Sequence, residues 1–203
     1  YEERQEWDQV VEVLKQKIDL THGKDLEAAY FKTGKIYHES LAQLDLAVDA
    51  FNAVLVENPD RLEAVEALHM LHRELQDPNA LYHTIQREIE LINQVSTDTE
   101  TIEHARKISV GLELELAYLE LEELDKSQEA VARLNKILEQ HSAHPAAVSA
   151  LEKIQSHVEY GKNAAEILVG VYREAGEWSA YVKSMAVIAR DEVESQERIS
   201  IYE

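Results

Sequence analysis

The stretch Ala-Val-Asp-Ala-Phe-Asn-Ala-Val-Leu at residues 47–55 decides the fold, because a closely similar stretch follows later in the chain. Residues 130–138 read Ala-Val-Ala-Arg-Leu-Asn-Lys-Ile-Leu, an offset of 83 positions from 47 to 130. In both stretches the apolar residues are three or four positions apart, as on one face of an α-helix. The match continues into the next segment, where Pro59 corresponds to Pro145 once three extra residues are allowed in the second loop. Self-similarity of this kind predicts an array of repeated units.

The two ends of the chain form a second pair of matching segments. The corresponding residues are Tyr1 and Tyr172, Trp7 and Trp178, Val11 and Val182, and Leu14 and Met185. Because both tryptophans stand at the start of equivalent helical segments, the match favours packing over ligand stacking for their rings. Tyr1 corresponds to a residue inside a helix, so we expect residues 1–203 to form a single helical-repeat domain that is an excerpt of a longer array.

The composition favours helix along the whole chain. Of the 203 residues, 45% are hydrophobic, which is enough to bury a substantial core, and only six are Gly and three are Pro. Residues of high helix propensity, such as Leu, Ala, Glu and Gln, are abundant. Turn-forming residues divide the chain into about eleven helical segments. The predicted breaks lie at residues 21–23, 42–43, 58–59, 76–78, 96–98, 125, 144–145, 160–161, 176 and 191.

Local signals refine this all-α prediction. Residues 110–121 alternate like a strand, but they consist mainly of Leu, Glu and Ala, and no partner strand can be identified. We therefore predict a helix that packs on two sides. Helix-capping residues are predicted at Asp25, Asp77 and Thr99.

Residues 29–59 resemble a tetratricopeptide repeat, which is a pair of antiparallel helices of about 34 residues. The family's first helix carries an aromatic residue, a small residue and a Tyr, which here are Tyr30, Gly34 and Tyr37. Its second helix carries a small residue, an aromatic residue, an apolar residue and a closing Pro, which here are Ala47, Phe51, Val54 and Pro59. One residue is inserted in the turn, where Leu41 replaces the family's Gly.

Two later segments resemble the same family. In residues 116–142 the matching residues are Ala117, Leu124, Ala130, Leu134 and Ile137. This copy has the same insertion, but Glu120 replaces the family's Tyr. A third copy is carried by Leu168, Tyr172, Gly176, Trp178, Met185 and Ile188. Divergent bacterial arrays are the nearest comparison, and the resemblance implies an all-α, right-handed superhelical solenoid of antiparallel helix pairs.

The small residues of these copies have a physical explanation. Gly34 in a helix interior costs about 1 kcal/mol relative to Ala, so we expect a neighbouring helix to pass too close for a side chain. Ala47 and Ala130 would permit the same close approach. Phe51 and Leu134 are predicted to fill the spaces between adjacent hairpins.

The first helices of successive hairpins line a concave groove in tetratricopeptide arrays, and a bound segment lies along it. The resemblance places in this groove Phe31, Lys35 and His38 of the first copy, Leu114, Tyr118 and Glu122 of the second, and Glu166, Gly170 and Arg173 of the third. The paired Lys and Asn residues with which family members clamp a peptide carboxylate are not evident. The resemblance therefore does not extend to recognition of chaperone tails.

The charge of the chain restricts the class of partner. Forty acidic and twenty basic residues give a net charge of −20, which would repel nucleic acids and anionic membrane surfaces. The same charge favours a basic protein or peptide as the partner. No apolar run approaches the roughly 20 residues of a membrane span, and no cysteine is present. We expect a soluble protein, with the cytoplasm as the default compartment.

Two groups of residues have the spacing of metal ligands. Glu66, His69 and His72 form Glu-x-x-His-x-x-His, but a di-iron site needs a second Glu-x-x-His, which the sequence lacks. We interpret this group as an exposed polar helix face. His141 and His144 are interpreted as part of a solvated loop. We predict no metal ion, cofactor or catalytic residue.

The leading functional hypothesis is a non-catalytic scaffold that binds a partner protein on its concave side. The alternative is a structural spacer or self-association segment of a long solenoid, favoured by apolar residues at the two ends. These are Tyr1, Ile199, Ile201 and Tyr202. An enzyme is the third hypothesis, and it would require the helix near Glu66 to face a pocket.

Overall fold

The computed structural model describes the backbone of residues 2–95, 99–157 and 159–202, and the side chains of residues 6–94, 102–157 and 159–190. These residues form ten α-helices and one π turn and include no β-strand, which confirms the all-α class. The chain divides into two compact units, an N-terminal unit, Tyr1–Arg106, and a C-terminal unit, Lys107–Glu203.

The N-terminal unit is a row of helices in which each packs against the next. The helices are α1 (Glu2–Leu20), α2 (Lys24–Lys35) with the π turn Ile36–Ser40, α3 (Leu44–Glu57), α4 (Leu62–Glu74) and α5 (Pro78–Val95). Asp77 caps α5 as predicted, because its carboxylate accepts the backbone N–H groups of Asn79 and Ala80. The prediction for Asp25 is wrong, since α2 already begins at Lys24.

The remaining helices are α6 (Thr99–Glu122), α7 (Ser127–Gln140), α8 (Pro145–Ile154), α9 (Gly161–Ala175) and α10 (Trp178–Tyr202). α6 crosses the boundary between the units in sequence, and the side chain of Thr99 lies outside the described residues. The predicted break at Asp191 is wrong, because α10 continues through it. A single Asp costs a helix well under 1 kcal/mol, and no Gly or Pro accompanies it. The break at residues 96–98 lies outside the described part of the chain.

The ambiguous residues 110–121 are helical, as predicted, and lie in α6. Leu112, Leu116 and Ala117 are buried. Leu114 and Tyr118 are half-buried and pack against the apolar cluster that includes Ala117 and residues of α7, α8 and α9. Burial on neighbouring faces explains the apolar excess that resembles a strand.

Gly34 confirms the prediction of a close helix approach. A Cβ atom at this position would lie 3.0 Å from the ring of Phe51, which projects from α3 and is 1% exposed. Ala47 and Ala130, the small residues of the second helices, are also completely buried. The antiparallel pair α2–α3 is therefore held together as the resemblance implies.

The inserted residue of the first copy is accommodated as a π turn at the end of α2. The backbone N–H of Leu41 donates to the carbonyl of Ile36, five residues earlier, at 3.0 Å. Ala42 then adopts a left-handed conformation with φ of 50°. A π turn takes up one extra residue without breaking the helix.

The second copy ends its first helix with the same hydrogen bond. The N–H of Leu124 donates to the carbonyl of Leu119, again five residues earlier, at 3.1 Å. Asp125 follows with φ of 53° and corresponds to Ala42 of the first copy. The repeat is thus preserved in the turn as well as in the helices.

A buried ion pair stands where the second copy lacks the family's Tyr. Glu120 is completely buried, and Arg133 of α7 donates to both of its carboxylate oxygens, at 3.0 and 2.8 Å. Arg133 also donates to Glu113, one and a half to two turns away on α6. Burial lowers the pKa of Arg133, but the hydrogen bonds to Glu120 and Glu113 outweigh burial and leave the pKa raised. The guanidinium therefore keeps its charge and joins α6 to α7.

In the described part of the chain, every helix is too short or too polar to cross a membrane.

Candidate partner-binding site

Three of the predicted groove residues lie along one face of α2 and its π turn, and we call them the α2 strip: Phe31, Lys35 and His38. Phe31 is half-buried, with its ring edge-on to that of Phe51 at 5.5 Å between centroids. The Lys35 side chain is exposed, and its ammonium lies 5.8 Å from the centre of the Phe31 ring. Spacings of four and three residues place the three side chains on successive turns of one helix face.

The α2 strip lies beside α4. The guanidinium of Arg61, just before α4, is 4.9 Å from the centre of the Phe31 ring. At the other end, His38 Nε2 is 3.2 Å from a carboxylate oxygen of Glu74, the last residue of α4. The two helices therefore run in the same direction, as the first helices of successive hairpins do in a tetratricopeptide array.

Arg61 is itself held in place by carboxylates. Its Nη1 donates to Glu27 at 2.6 Å, and its Nε donates to Glu63 at 2.8 Å. Burial lowers the pKa of Arg61, whereas the hydrogen bond to Glu27 and the attraction of Glu63 raise it, and the net shift is upward. Asn58 donates to the second oxygen of Glu27 at 3.3 Å. These contacts position the Arg61 guanidinium over Phe31.

Two further predicted groove residues lie one turn apart on α6. Tyr118 is half-buried, and the ammonium of Lys153 on α8 is 5.8 Å from the centre of its ring. Glu122 is exposed at the end of α6. The α6–α8 contact at Tyr118 resembles the α2–α4 contact at Phe31, since each places a basic side chain over a ring.

The third predicted group lies on α9. Arg173 and Glu166 are exposed, and Gly170 lines a cleft of about 550 Å³ between α7, the turn that follows it, and α9. We call this the α7–α9 cleft. The other residues that line it are Leu138, Ala143, Ile167, Val171 and Ala175, which are apolar, and Asn135, Glu139, Ser142 and Glu174, which are polar.

The interpretation of the α4 histidines as an exposed face is wrong. His69 is buried, and its Nδ1 lies 2.6 Å from a carboxylate oxygen of Glu88 on α5. Arg73 donates to His69 Nε2 at 3.0 Å, which leaves Nδ1 as the nitrogen that donates to Glu88. His69 and His72 therefore face α5, whereas Glu66 is exposed, as predicted.

The two flanking members of this group have shifted pKa values. Burial lowers the pKa of His72, and the neighbouring His69 lowers it further against the opposing effect of Asp77. Burial, followed by the charges of Glu88 and Glu63, raises the pKa of Glu66. Both shifts favour the uncharged form. Nowhere in the described residues do three or more His, Asp or Glu side chains converge as metal ligands would.

The His141 and His144 side chains are half-buried, so the solvated-loop interpretation is also wrong for them. His141 Nε2 and His144 Nδ1 are inaccessible, and neither has a hydrogen-bond partner among the described residues. Lone imidazole nitrogens without a converging carboxylate provide no basis for a metal site.

The packing role predicted for the tryptophans is wrong for Trp178, which is 63% exposed, and Trp7 is 39% exposed. Val182 and Met185 on the same side of α10 are 62% and 41% exposed. We call Trp178, Val182 and Met185 the α10 stripe.

Sequence reasoning missed both the α10 stripe and the acidic members of the α7–α9 cleft. The spacing of Trp178, Val182 and Met185 by four and three residues was a sequence signal that the three side chains share one face of α10.

The chain is similar to one family model and to several solved structures. A family model described as Tetratricopeptide repeat matches residues 28–61, which include the whole α2 strip. The search of curated proteins returned no significant match. Among solved structures, the chain is similar to MamA, with 13% identity, coverage of 94% of this chain and 91% of that one, and a TM-score of 0.44.

A second similar structure is a putative kinesin light chain from Podosopora anserina with nearly identical TPR-like repeats. It has 14% identity, coverage of 95% of this chain and 91% of that one, and a TM-score of 0.46. The resemblance to a tetratricopeptide repeat that the sequence predicts is confirmed for residues 28–61.

Proposed function

We propose that this chain is a non-catalytic scaffold that binds a partner protein or peptide through the α2 strip. The observation that carries the proposal is the row of Phe31, Lys35 and His38 beside α4, within the segment that matches the family model. In the arrays that this chain resembles, the first helices line a groove along which a bound segment lies. The strip offers such a segment an aromatic surface, an exposed ammonium and an imidazole.

Tyr118, Glu122 and Arg173 extend the proposal to the C-terminal unit. Tyr118 has the same combination of half-buried ring and neighbouring cation as Phe31. Glu122 and Arg173 are exposed and free to turn toward a ligand. We assign these residues as additional partner contacts of the scaffold.

Panning of a random-peptide display library on the immobilised chain tests the main proposal. Selected peptides should lose at least about tenfold in affinity for a Lys35→Glu/His38→Ala variant, which corresponds to about 1.4 kcal/mol. The matched control is Val56→Ser, which changes a 79% exposed residue of α3. Peptides that bind both variants equally well would contradict the assignment of the α2 strip, provided that thermal melts show both to be folded.

The charge of −20 supports a basic partner, since long-range attraction speeds encounter between opposite charges. Affinity of selected peptides should then fall between low and high salt, because the Debye length shortens to about 3 Å at 1 M. Isothermal titration at two salt concentrations measures this. Salt-independent binding would count against a basic partner.

The alternative function, self-association, is supported by the α10 stripe rather than by the terminal residues. Tyr1, Ile199, Ile201 and Tyr202 lie outside the residues whose side chains are described. Sedimentation of the chain at increasing concentration should reveal dimers that a Trp178→Ser/Val182→Ser variant cannot form. The control is Val13→Ser on α1, where the residue is 64% exposed. A strict monomer at high concentration would exclude this alternative.

A further inference from the structure

The α7–α9 cleft shares Gly170 of α9 with the predicted groove, but it extends onto α7, the second helix of its hairpin, which lies outside that groove in the resemblance. We propose that this cleft binds a partner segment that carries an aliphatic side chain next to an arginine or lysine. The proposal rests on the function proposed above and adds to it a second surface with a defined partner chemistry.

The apolar part of the cleft provides space for an aliphatic side chain. Leu138 of α7 faces Ile167 and Val171 of α9 across a volume of about 550 Å³. Gly170 contributes no side chain, and a Cβ atom added there would meet nothing within 4 Å. The space beside Gly170 is thus open, and burial of a leucine-sized side chain there is favourable.

The polar part of the cleft is acidic. Glu139 and Glu174 line it, one from each helix, and no lining residue is basic. Asn135 donates to Glu139 at 2.9 Å and so orients that carboxylate. A cation beside the aliphatic side chain would therefore meet two carboxylates of complementary charge.

The two helices add to this negative potential. The lining residues of α7 and of α9 lie in the C-terminal half of each helix or directly after it, except Ile167, which lies at the middle of α9. The C-terminal end of a helix carries a partial negative charge that favours cations. α7 has no basic residue in its last turn to neutralise this charge, whereas α9 has Arg173 in its last turn, outside the residues that line the cleft. Charge and dipole thus favour the same ligand, a basic one.

A nuclear magnetic resonance titration of the isotope-labelled full chain tests the proposal. The probe is N-acetyl-leucyl-arginine amide, and the control ligand is N-acetyl-leucyl-citrulline amide, which has nearly the same shape without the charge. We expect the arginine probe to shift amide signals of residues 135–143 and 167–175, and to bind about tenfold more tightly than the citrulline probe. A Glu139→Gln/Glu174→Gln variant should remove that preference.

A variant that fills the cleft provides a second test. Gly170→Leu should abolish the shifts of both probes, since the new side chain occupies the open space. Gly111→Leu is the matched control, because Gly111 is also helical and a Cβ atom there likewise meets nothing within 4 Å. Both substitutions should leave the melting temperature similar or higher, given the low helix propensity of Gly.

The outcomes distinguish this proposal from the proposed function. Equal binding of the two probes, or unchanged binding to the Gly170→Leu variant, would overturn the assignment of the cleft to a basic segment. Shifts confined to α2 and α4 would overturn it too, while leaving the α2 strip as the binding surface. Shifts at residues 135–143 and 167–175 that persist in the Lys35→Glu/His38→Ala variant would support the cleft independently of the strip.

Discussion

The pair α2–α3 and the pair α6–α7 share one turn geometry and differ in how they fill the interior beside it. Gly34 and Phe51 of the first pair correspond to Ala117 and Leu134 of the second, so a smaller residue on one helix accompanies a larger residue on the other. The comparison teaches that the repeat preserves total volume and backbone path rather than residue identity.

The second difference concerns polarity. Tyr37 of the first pair is 8% exposed, and its counterpart in the second pair is Glu120, which is fully buried and paired with Arg133. A buried ion pair contributes little net stability relative to an apolar pair. Substitution of only one partner, however, leaves the other charge buried and uncompensated. The two pairs should therefore respond very differently to substitution.

Substitution of Arg133 should lower the free energy of unfolding more than any other change in the two pairs. Arg133→Met leaves the buried carboxylate of Glu120 without its cation, and we expect the free energy of unfolding to fall by about 3 to 5 kcal/mol. Urea denaturation followed by circular dichroism measures the change. A variant within 1 kcal/mol of wild type would show that solvent or another cation reaches Glu120.

A double variant provides the control, because it replaces the buried ion pair with uncharged side chains and gives position 120 the Tyr that the first pair has at position 37. Glu120→Tyr/Arg133→Met should recover most of the lost stability, since exchange of a buried ion pair for packed side chains is often neutral or better. Failure of this variant to recover while remaining folded would mean that the α6–α7 packing depends on the charges themselves.

Truncation of the large buried residue of either pair should lower the free energy of unfolding as much as Arg133→Met does, or slightly less. Phe51→Ala is expected to cost about 3 to 5 kcal/mol and Leu134→Ala about 2 to 5 kcal/mol, because each leaves a cavity in a fully buried position. Thermal melts of both variants measure the losses. An unchanged melt for Phe51→Ala would contradict its place in the core.

The fold could be predicted from the sequence because its signals are local. Apolar spacing and Gly or Pro punctuation located the helices, and Gly34 predicted the close contact that Phe51 makes. The error at Asp191 has the same origin, since a single Asp without Gly or Pro is too weak to end a helix. Local signals also do not show that an inserted residue would become a π turn.

The candidate site could be predicted only in part, because it depends on contacts between distant segments. The α2 strip followed from the resemblance, but the partner of His69 is Glu88, which lies 19 positions away on another helix. Similarly, a buried Glu120 requires a cation, yet the choice of Arg133 is made by helix packing. Trp178 is 63% exposed, which the spacing of apolar residues alone does not reveal.

Addition of one methyl group at position 34 of the first pair should lower the free energy of unfolding moderately. Gly34→Ala places a Cβ atom 3.0 Å from the Phe51 ring, a strain of about 1 to 3 kcal/mol, against a gain of about 1 kcal/mol in helix propensity. We expect a net loss of about 1 kcal/mol in chemical denaturation. Gly34→Ala/Phe51→Leu copies the residues of the second pair and should be more stable than Phe51→Leu alone. The opposite order would show that volume is not exchanged between these two positions.

The smallest effect is expected in the shared turn. Ala42 and Asp125 are both left-handed, a conformation that costs an L-residue roughly 1 to 2 kcal/mol but costs Gly nothing. Ala42→Gly should stabilise the chain by about 0.5 kcal/mol, because relief of this strain exceeds the added freedom of the unfolded chain. Asp125→Gly should gain less, since Asp tolerates the left-handed region better than Ala does. Melting temperatures of the two variants test this order, and an equal or larger gain at Asp125 would show that the two turns are strained differently despite their matching hydrogen bonds.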